Sequence, residues 1–243
     1  MCGVFCTFTS CMALILHIET STNVCSVALS EDGRVLFIRK EQEGPSHASL
    51  IGPFIDGALS VAEQKNVKPD AVAVSAGPGS YTGLRIGVSA AKGICYALRI
   101  PLIAIPTLEL MADTCRRNRV LPGDALIRPV MDARRMEVYT SLYDKAGCCL
   151  EPVNAVIADE HSFDTELSSH AVFFAGNGAA KLRAVIHSEK AGFDENLIPA
   201  ADAMIYLAEK AYSEKQFVDV AYFEPFYLKD FVATVKKHLI PVK

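Results

Sequence analysis

Hydrophobic residues along this chain fall in short runs of two different periods, separated by glycine, proline and charge. Residues 13–18 form an apolar run broken only by His17, the pattern of a strand covered on both faces. Residues 24–30 alternate in part and carry enough β-branched side chains for a second strand. Asp32-Gly33 then turns the chain into a third strand at 34–40, and such a pair between apolar runs is a strong hairpin signal. An antiparallel meander is expected at the start. From 46 to 64 the period becomes helical, with Ser46 placed to cap the helix. One apolar stripe along it holds Leu50, Phe54, Ala58 and Val61, and a second holds Ile51, Ile55, Leu59 and Ala62. Together they cover about half the circumference, wider than the ~100° of a helix packed on one side. One stripe is expected to face its own sheet and the other a partner. Pro53 is expected to kink this helix, because it deletes one backbone donor.

A strand at 71–75, a glycine-rich loop at 77–83, a helix at 84–98, a strand at 101–105 and a helix at 107–118 follow. The second half reads as strands at 125–131, 137–143 and 149–157, a short helix at 159–167 and a strand at 171–175. Gly176 and Gly178 lead into another helix, a further one spans 201–215, and a last strand is expected at 226–228. The order of elements repeats loosely without a close repeat of sequence. Two α/β lobes of similar plan are therefore expected, at 12–106 and 107–243, with the last helix or the tail packing back on the first lobe.

Composition narrows the classes. No stretch approaches the ~20 apolar residues of a membrane helix, and 51% apolar content over 243 residues supports a sizeable core. A net charge of −4 makes a poor autonomous nucleic-acid binder, so any RNA would be gripped mainly by another protein. The eight cysteines form no C-x-x-C pair, which argues against a zinc knuckle and for buried thiols in a reducing cytoplasm. Residues 1–11 carry no charge and lack the basic start of a signal peptide; they read as an extension or a misplaced start ahead of Met12.

The segment Gly77, Pro78, Gly79, Ser80, Tyr81, Thr82, Gly83 is the most informative. A loop between a strand and a helix aims backbone N–H groups and a helix N-terminus at one point, which suits an anion. Gly79 and Gly83 permit close approach, and Ser80 and Thr82 add hydroxyls. The Gly-Lys-Ser/Thr ending of a P-loop is missing. The plainer use of the glycines is packing in a tight turn, and the residues alone leave both uses open. The six histidines are scattered without ligand spacing. His47 reads as a helix-start residue, Asp132 and Arg134 as either a ligand site or a structural ion pair, and Arg116, Arg117 and Arg119 as a solvated helix end.

GPGSYTGLRIG at 77–87 closely resembles the signature of the TsaB (YeaZ) family. ILHIETST at 15–22, PLIAIPTLELM at 101–111, DARRMEVY at 132–139 and PFYLK at 225–229 resemble further pieces of that family, in order. The resemblance implies a two-lobed fold of the actin, Hsp70 and sugar-kinase type. In that fold Thr20, Ser21 and Thr22 fall at the first phosphate loop, residues 77–83 at the second, and Gly176, Asn177 and Gly178 where active relatives hold adenosine. The catalytic sister family, TsaD, carries an H-x-x-x-H pair where this chain has Thr107 and Met111, so no metal is expected. The resemblance implies a non-catalytic subunit that joins a TsaD-type transferase, with a TsaE-type ATPase, to place threonylcarbamoyl on the adenosine beside the tRNA anticodon. It also implies a homodimer of the free subunit, and tRNA contact only through the complex. Lys236, Lys237 and Lys243 are weak candidates to touch that tRNA. No cofactor is expected, with weak ATP or ADP binding left open. The expected partner face comprises Leu50, Ile51, Phe54, Ile55, Ala58 and Leu59, with Gly87, Ala90 and Ala91 permitting close approach. The alternatives are an ATP-dependent transferase or kinase, a glycoprotease-like enzyme, and a homodimeric nucleotide sensor.

Overall fold

The first apolar run becomes β1 (Leu14–Glu19), whose six residues are all buried, because it lies in the middle of a sheet covered on both faces. A computed structural model of the chain describes residues 13–42 and 46–228. Residues 1–11, Met12, Lys229 of the PFYLK segment and the tail lysines lie outside the described residues. β2 (Cys25–Glu31) and β3 (Arg34–Glu41) complete the meander. Asp32 and Gly33 have φ of 50° and 74°, as the two central residues of a tight hairpin turn require. After α1 (His47–Gln64), β4 (Ala71–Gly77), α2 (Tyr81–Leu98) and β5 (Leu102–Pro106), the sheet order is β3-β2-β1-β4-β5.

α3 (Thr107–Asn118) leads to β6 (Leu126–Asp132), β7 (Glu137–Tyr143), β8 (Cys149–Ile157), α4 (Asp164–Ser169), β9 (Val172–Ala175), α5 (Ala179–Val185) and β10 (Ala191–Asp194). The second sheet runs β10-β9-β6-β7-β8, the same order as the first when its strands are counted from β6. Three antiparallel strands and two parallel ones recur in both lobes, so the loose repeat seen in the sequence is complete in topology. β10, whose four residues are only half-buried, was not expected.

α1 and α2 cover one face of the first sheet. The other face packs on Leu110 of α3 and on Met204, Ala208 and Ala211 in and beside α6 (Ile205–Ser213). Leu108, Met111, Ala112 and Cys115 of α3 pack on the second sheet, so α3 is buried between the lobes. α4 and α5 close the far side. Among the described residues, no helix is long and apolar enough to cross a membrane.

Several expectations are corrected. α2 begins at Tyr81 rather than Leu84, because Ser80 Oγ accepts the Gly83 N–H at 3.2 Å and caps the helix. Ser46 sits at the cap position of α1 but makes no such bond; its hydroxyl meets Ser49 Oγ at 3.1 Å. α4 is confined to Asp164–Ser169 and α6 to Ile205–Ser213. Residues 226–228 form no strand; Phe226 N–H instead donates to Ala76 O at 2.7 Å.

Neither stripe of α1 faces inward as a unit. The buried row is Ile51, Ala58 and Ala62, drawn from both. A row of residues four apart drifts around a helix of 3.6 residues per turn by about 40° per step, so a flat sheet takes members of each. Leu50, Phe54 and Val61 lie on the flank toward β3, whose Phe37 ring fills the space beside Gly57. The helical period puts Ile55 and Leu59 on the opposite flank, toward α2, and both are half-buried.

Candidate functional site

The two loops at the ends of β1 and β4 lie against each other. Ser80 N–H donates to Ser21 O at 2.6 Å. A methyl group at Gly79 would overlap Ser21 O, one at Gly83 would overlap Thr20 O, and one at Gly87 would overlap Thr20 Oγ1. These glycines give the first loop a seat on α2. The backbone groups of Ser80 and Gly83, candidates for an anion, are already used by Ser21 O and Ser80 Oγ. Thr20, Ser21 and Thr22 are buried.

A strap from the C-terminal part of the chain lies on the first lobe beside this loop. Val218 bridges Leu102 at the free edge of β5, and Lys92 Nζ of α2 donates to Ala221 O and Phe223 O, both at 3.0 Å. The strap ends with Phe226 on Ala76 and with the Tyr227 ring 4.8 Å from that of Tyr81. The Arg85 guanidinium lies 4.2 Å from the Tyr81 ring centre, and its Nε donates to Tyr227 Oη at 3.3 Å. Tyr81 and Tyr227 are 146 residues apart, so no local signal joins them.

Beneath the loops, Glu19 is fully buried. Its Oε1 accepts the Ser21 N–H at 2.6 Å, and its Oε2 has no partner among the described residues. Burial pushes its carboxyl above the usual range, against the weaker pull of hydrogen bonds from Ser21 and Ser75. His17, two residues back, is also fully buried, with Nε2 2.8 Å from Ser30 Oγ. Burial pushes its imidazole from 6.5 down to about 3. Folded His17 stays neutral while the unfolded chain takes up a proton below pH 6.5, so its contribution to stability is whole above 6.5 and falls until about pH 3. Glu19 works the other way, but only above its ordinary value of 4.5, where the fold holds the extra proton. Between pH 4.5 and 3 His17 acts unopposed by Glu19. His17→Gln should therefore flatten the acid limb of a urea-midpoint profile in that window. The full span of the His17 effect, from 6.5 to about 3, is ~5 kcal/mol at ~1.4 kcal/mol per pH unit. An unchanged limb would show that other groups drive acid unfolding.

Across the lobe boundary, Gly176 has φ 131°, and a methyl there would overlap Met111 Cε and Val130 O. Asn177 Oδ1 accepts the Asp132 N–H at 3.0 Å, and Gly178 starts α5. This turn is built into the α3 contact. Met111 is buried in the interlobe core, and Thr107 is buried with its hydroxyl unpaired among the described residues. A thioether and a hydroxyl do not fit the donor set of a catalytic iron or zinc. Among the described residues, no three His, Cys, Asp or Glu side chains gather as a metal site.

Two surface expectations are settled. Asp132 pairs with Lys181 at 2.6 Å, not with the Arg134 side chain. Arg116 and Arg117 both bind Asp113, and Arg119 binds Asp194, so every guanidinium of that basic cluster is engaged by a carboxylate. Of the nine residues expected at a partner face, Ile51, Ala58, Gly87 and Ala91 are buried and belong to the core. Leu50, Phe54, Ile55, Leu59 and Ala90 are half-buried, and next to Ala90 on α2 the small residues Ser89, Gly93 and Ala97 are exposed.

Residues 41–237 match the family described as tRNA N6-adenosine threonylcarbamoyltransferase, TsaD. The tRNA threonylcarbamoyladenosine biosynthesis protein TsaB of Escherichia coli (strain K12) is 33% identical over 228 residues, spanning 91% of this chain and 97% of that protein. The chain belongs to the TsaB family. The TsaB protein of Haemophilus influenzae is 29% identical over 91% of this chain and 96% of its own length. A solved structure of YeaZ from Pseudomonas aeruginosa superposes with a TM-score of 0.75 at 27% identity, over 89% of this chain and 100% of that one. The two-lobed α/β plan read from the residues is thus the plan of the TsaB family. Thr107 and Met111 are buried packing residues in this fold.

Proposed function

We propose that this chain is the non-catalytic TsaB subunit of the complex that forms N6-threonylcarbamoyladenosine in cytoplasmic tRNA, and that it holds and activates a TsaD-type transferase. The observation that carries this reading is Met111, buried between the lobes against Gly176, a thioether at the position where the resemblance to TsaD implies a histidine. The interlocked loops support it too. Their glycines serve loop packing, residues 77–83 hold no carboxylate for magnesium, and the strap lies over Gly77. The transferase docks on the flank of α1 and α2 that carries Leu59 and Ala90, with Gly93 permitting close approach. The free subunit pairs with itself through the same face, and a TsaE-type ATPase joins the assembled complex. Nucleotide binding by the free chain is weak or absent.

Co-expression with the cognate transferase tests the reading. The two chains should co-purify, and the gene should restore the modified nucleoside, read by mass spectrometry of digested tRNA, in cells depleted of their own TsaB. The pure chain should contain far less than one iron or zinc per molecule and should not turn over ATP. Steady hydrolysis by the pure chain, or failure to restore the nucleoside, would sink the proposal.

A further inference from the structure

We propose that Arg134 and Arg135, at the tip of the β6–β7 hairpin, bind the phosphate backbone of the tRNA. The inference rests on the subunit reading above and adds a contact from this chain within the complex.

Both arginines stand at positive φ, 73° and 51°. L-residues other than asparagine and aspartate rarely adopt that region, and glycine occupies it without penalty. Two successive arginines in that conformation are not what the turn itself favours, so the side chains need another reason to be there. Both are exposed, and no ion pair, hydrogen bond or ring contact engages either guanidinium among the described residues. Arg116, Arg117, Arg119, Arg128 and Arg183 each meet a carboxylate.

The tip is held from below. Asp132 Oδ1 accepts the Arg134 N–H at 2.6 Å and the Lys181 ammonium at 2.6 Å. Lys181 also reaches Glu137 O at 3.3 Å. Lys181 thereby offsets the charge of Asp132, and the two guanidiniums remain an uncompensated pair on a fixed hairpin. They lie at the C-terminal end of β6, beside the 176–178 turn, where ligands gather in open parallel sheets. Guanidinium binds phosphate oxygens bidentately. Two contacts are too few for a chain of net charge −4 to hold RNA alone, which keeps the main grip with the partner.

The test uses the purified complex of this chain with its TsaD-type partner and an unmodified tRNA transcript. The double variant Arg134→Gly/Arg135→Gly removes both charges and relieves both backbones. Affinity for the transcript should fall about tenfold at ~0.1 M salt, and the slope of log Kd against log salt should become shallower by about 2. The melting temperature of the free variant should be unchanged or higher, which a merely structural role for these arginines would not allow. Arg134→Lys/Arg135→Lys should keep most of the salt slope. An unchanged slope in an intact complex overturns the inference, as does loss of the transferase or of ATP binding with tRNA affinity unchanged. Failure of the wild-type chain to join the transferase would instead remove the subunit reading, and this inference with it.

Discussion

Leu59→Glu should leave the free chain folded and remove it from its complex with the TsaD-type transferase. Leu59 lies on the flank of α1 that faces α2, half-buried and outside the buried row of Ile51, Ala58 and Ala62. In the monomer a glutamate there can turn its carboxylate to water, so the melting temperature, compared at concentrations where both variants are monomeric, should move by no more than about 2 °C, the effect of well under ~1 kcal/mol. In a packed contact the same carboxylate is buried without a partner, which costs several kcal/mol. At ~1.4 kcal/mol per factor of ten, the association should weaken at least about a hundredfold. Ala58→Glu is the contrasting case. Ala58 is fully buried, so its glutamate should cost solubility and melting temperature before any partner is added. Pull-down with tagged transferase, melting curves and the level of modified nucleoside in depleted cells separate the two. Wild-type recovery of Leu59→Glu with the transferase would place the contact elsewhere on the chain.

Gly83→Ala should destabilise the chain by about 3 kcal/mol or more, the upper range for forcing extra volume into a packed interior. The added methyl would overlap Thr20 O, a backbone atom held in a buried loop. A domain of this size loses about 2–4 °C per kcal/mol, so a fall of about 10 °C is expected. Gly93→Ala, in the same helix, should do the opposite. No atom lies within 4 Å of the added methyl, and alanine exceeds glycine in helix propensity by up to ~1 kcal/mol. Thermal melting of the two free variants reads the difference. If Gly83→Ala melts with the wild type, the loops are not pressed together and the glycines are again available to a ligand.

Much of the fold was legible in the chain. The Asp32-Gly33 hairpin, the helix from Thr107 to Asn118 and the strands at 137–143 and 149–157 stand where period and turn chemistry put them. Errors gathered at the ends of elements and where the deciding contact is not local. α2 starts early because a serine caps it, which composition does not distinguish from a serine in the preceding turn. β10 has four half-buried residues and takes its strand form from pairing with β9.

The sequence by itself determined two α/β lobes, a glycine-rich loop between a strand and a helix, and the absence of a histidine pair at residues 107 and 111. Those are statements about residue type and period, and both can be read along one dimension. The tertiary structure decided what the residues are for. Residues 77–83 could have faced an anion or a neighbour, and only the fold shows Gly79 and Gly83 packed against Ser21 and Thr20. The apolar circumference of α1 was visible, but its inward row was not, because each row drifts around the helix and the sheet takes members of both. The basic cluster at residues 116–119 was visible too, yet Asp113 and Asp194 engage each of its guanidiniums, whereas the pair at residues 134–135 meets no carboxylate among the described residues. Loop contact and helix–sheet packing join residues far apart in the chain, so only the folded structure could assign them.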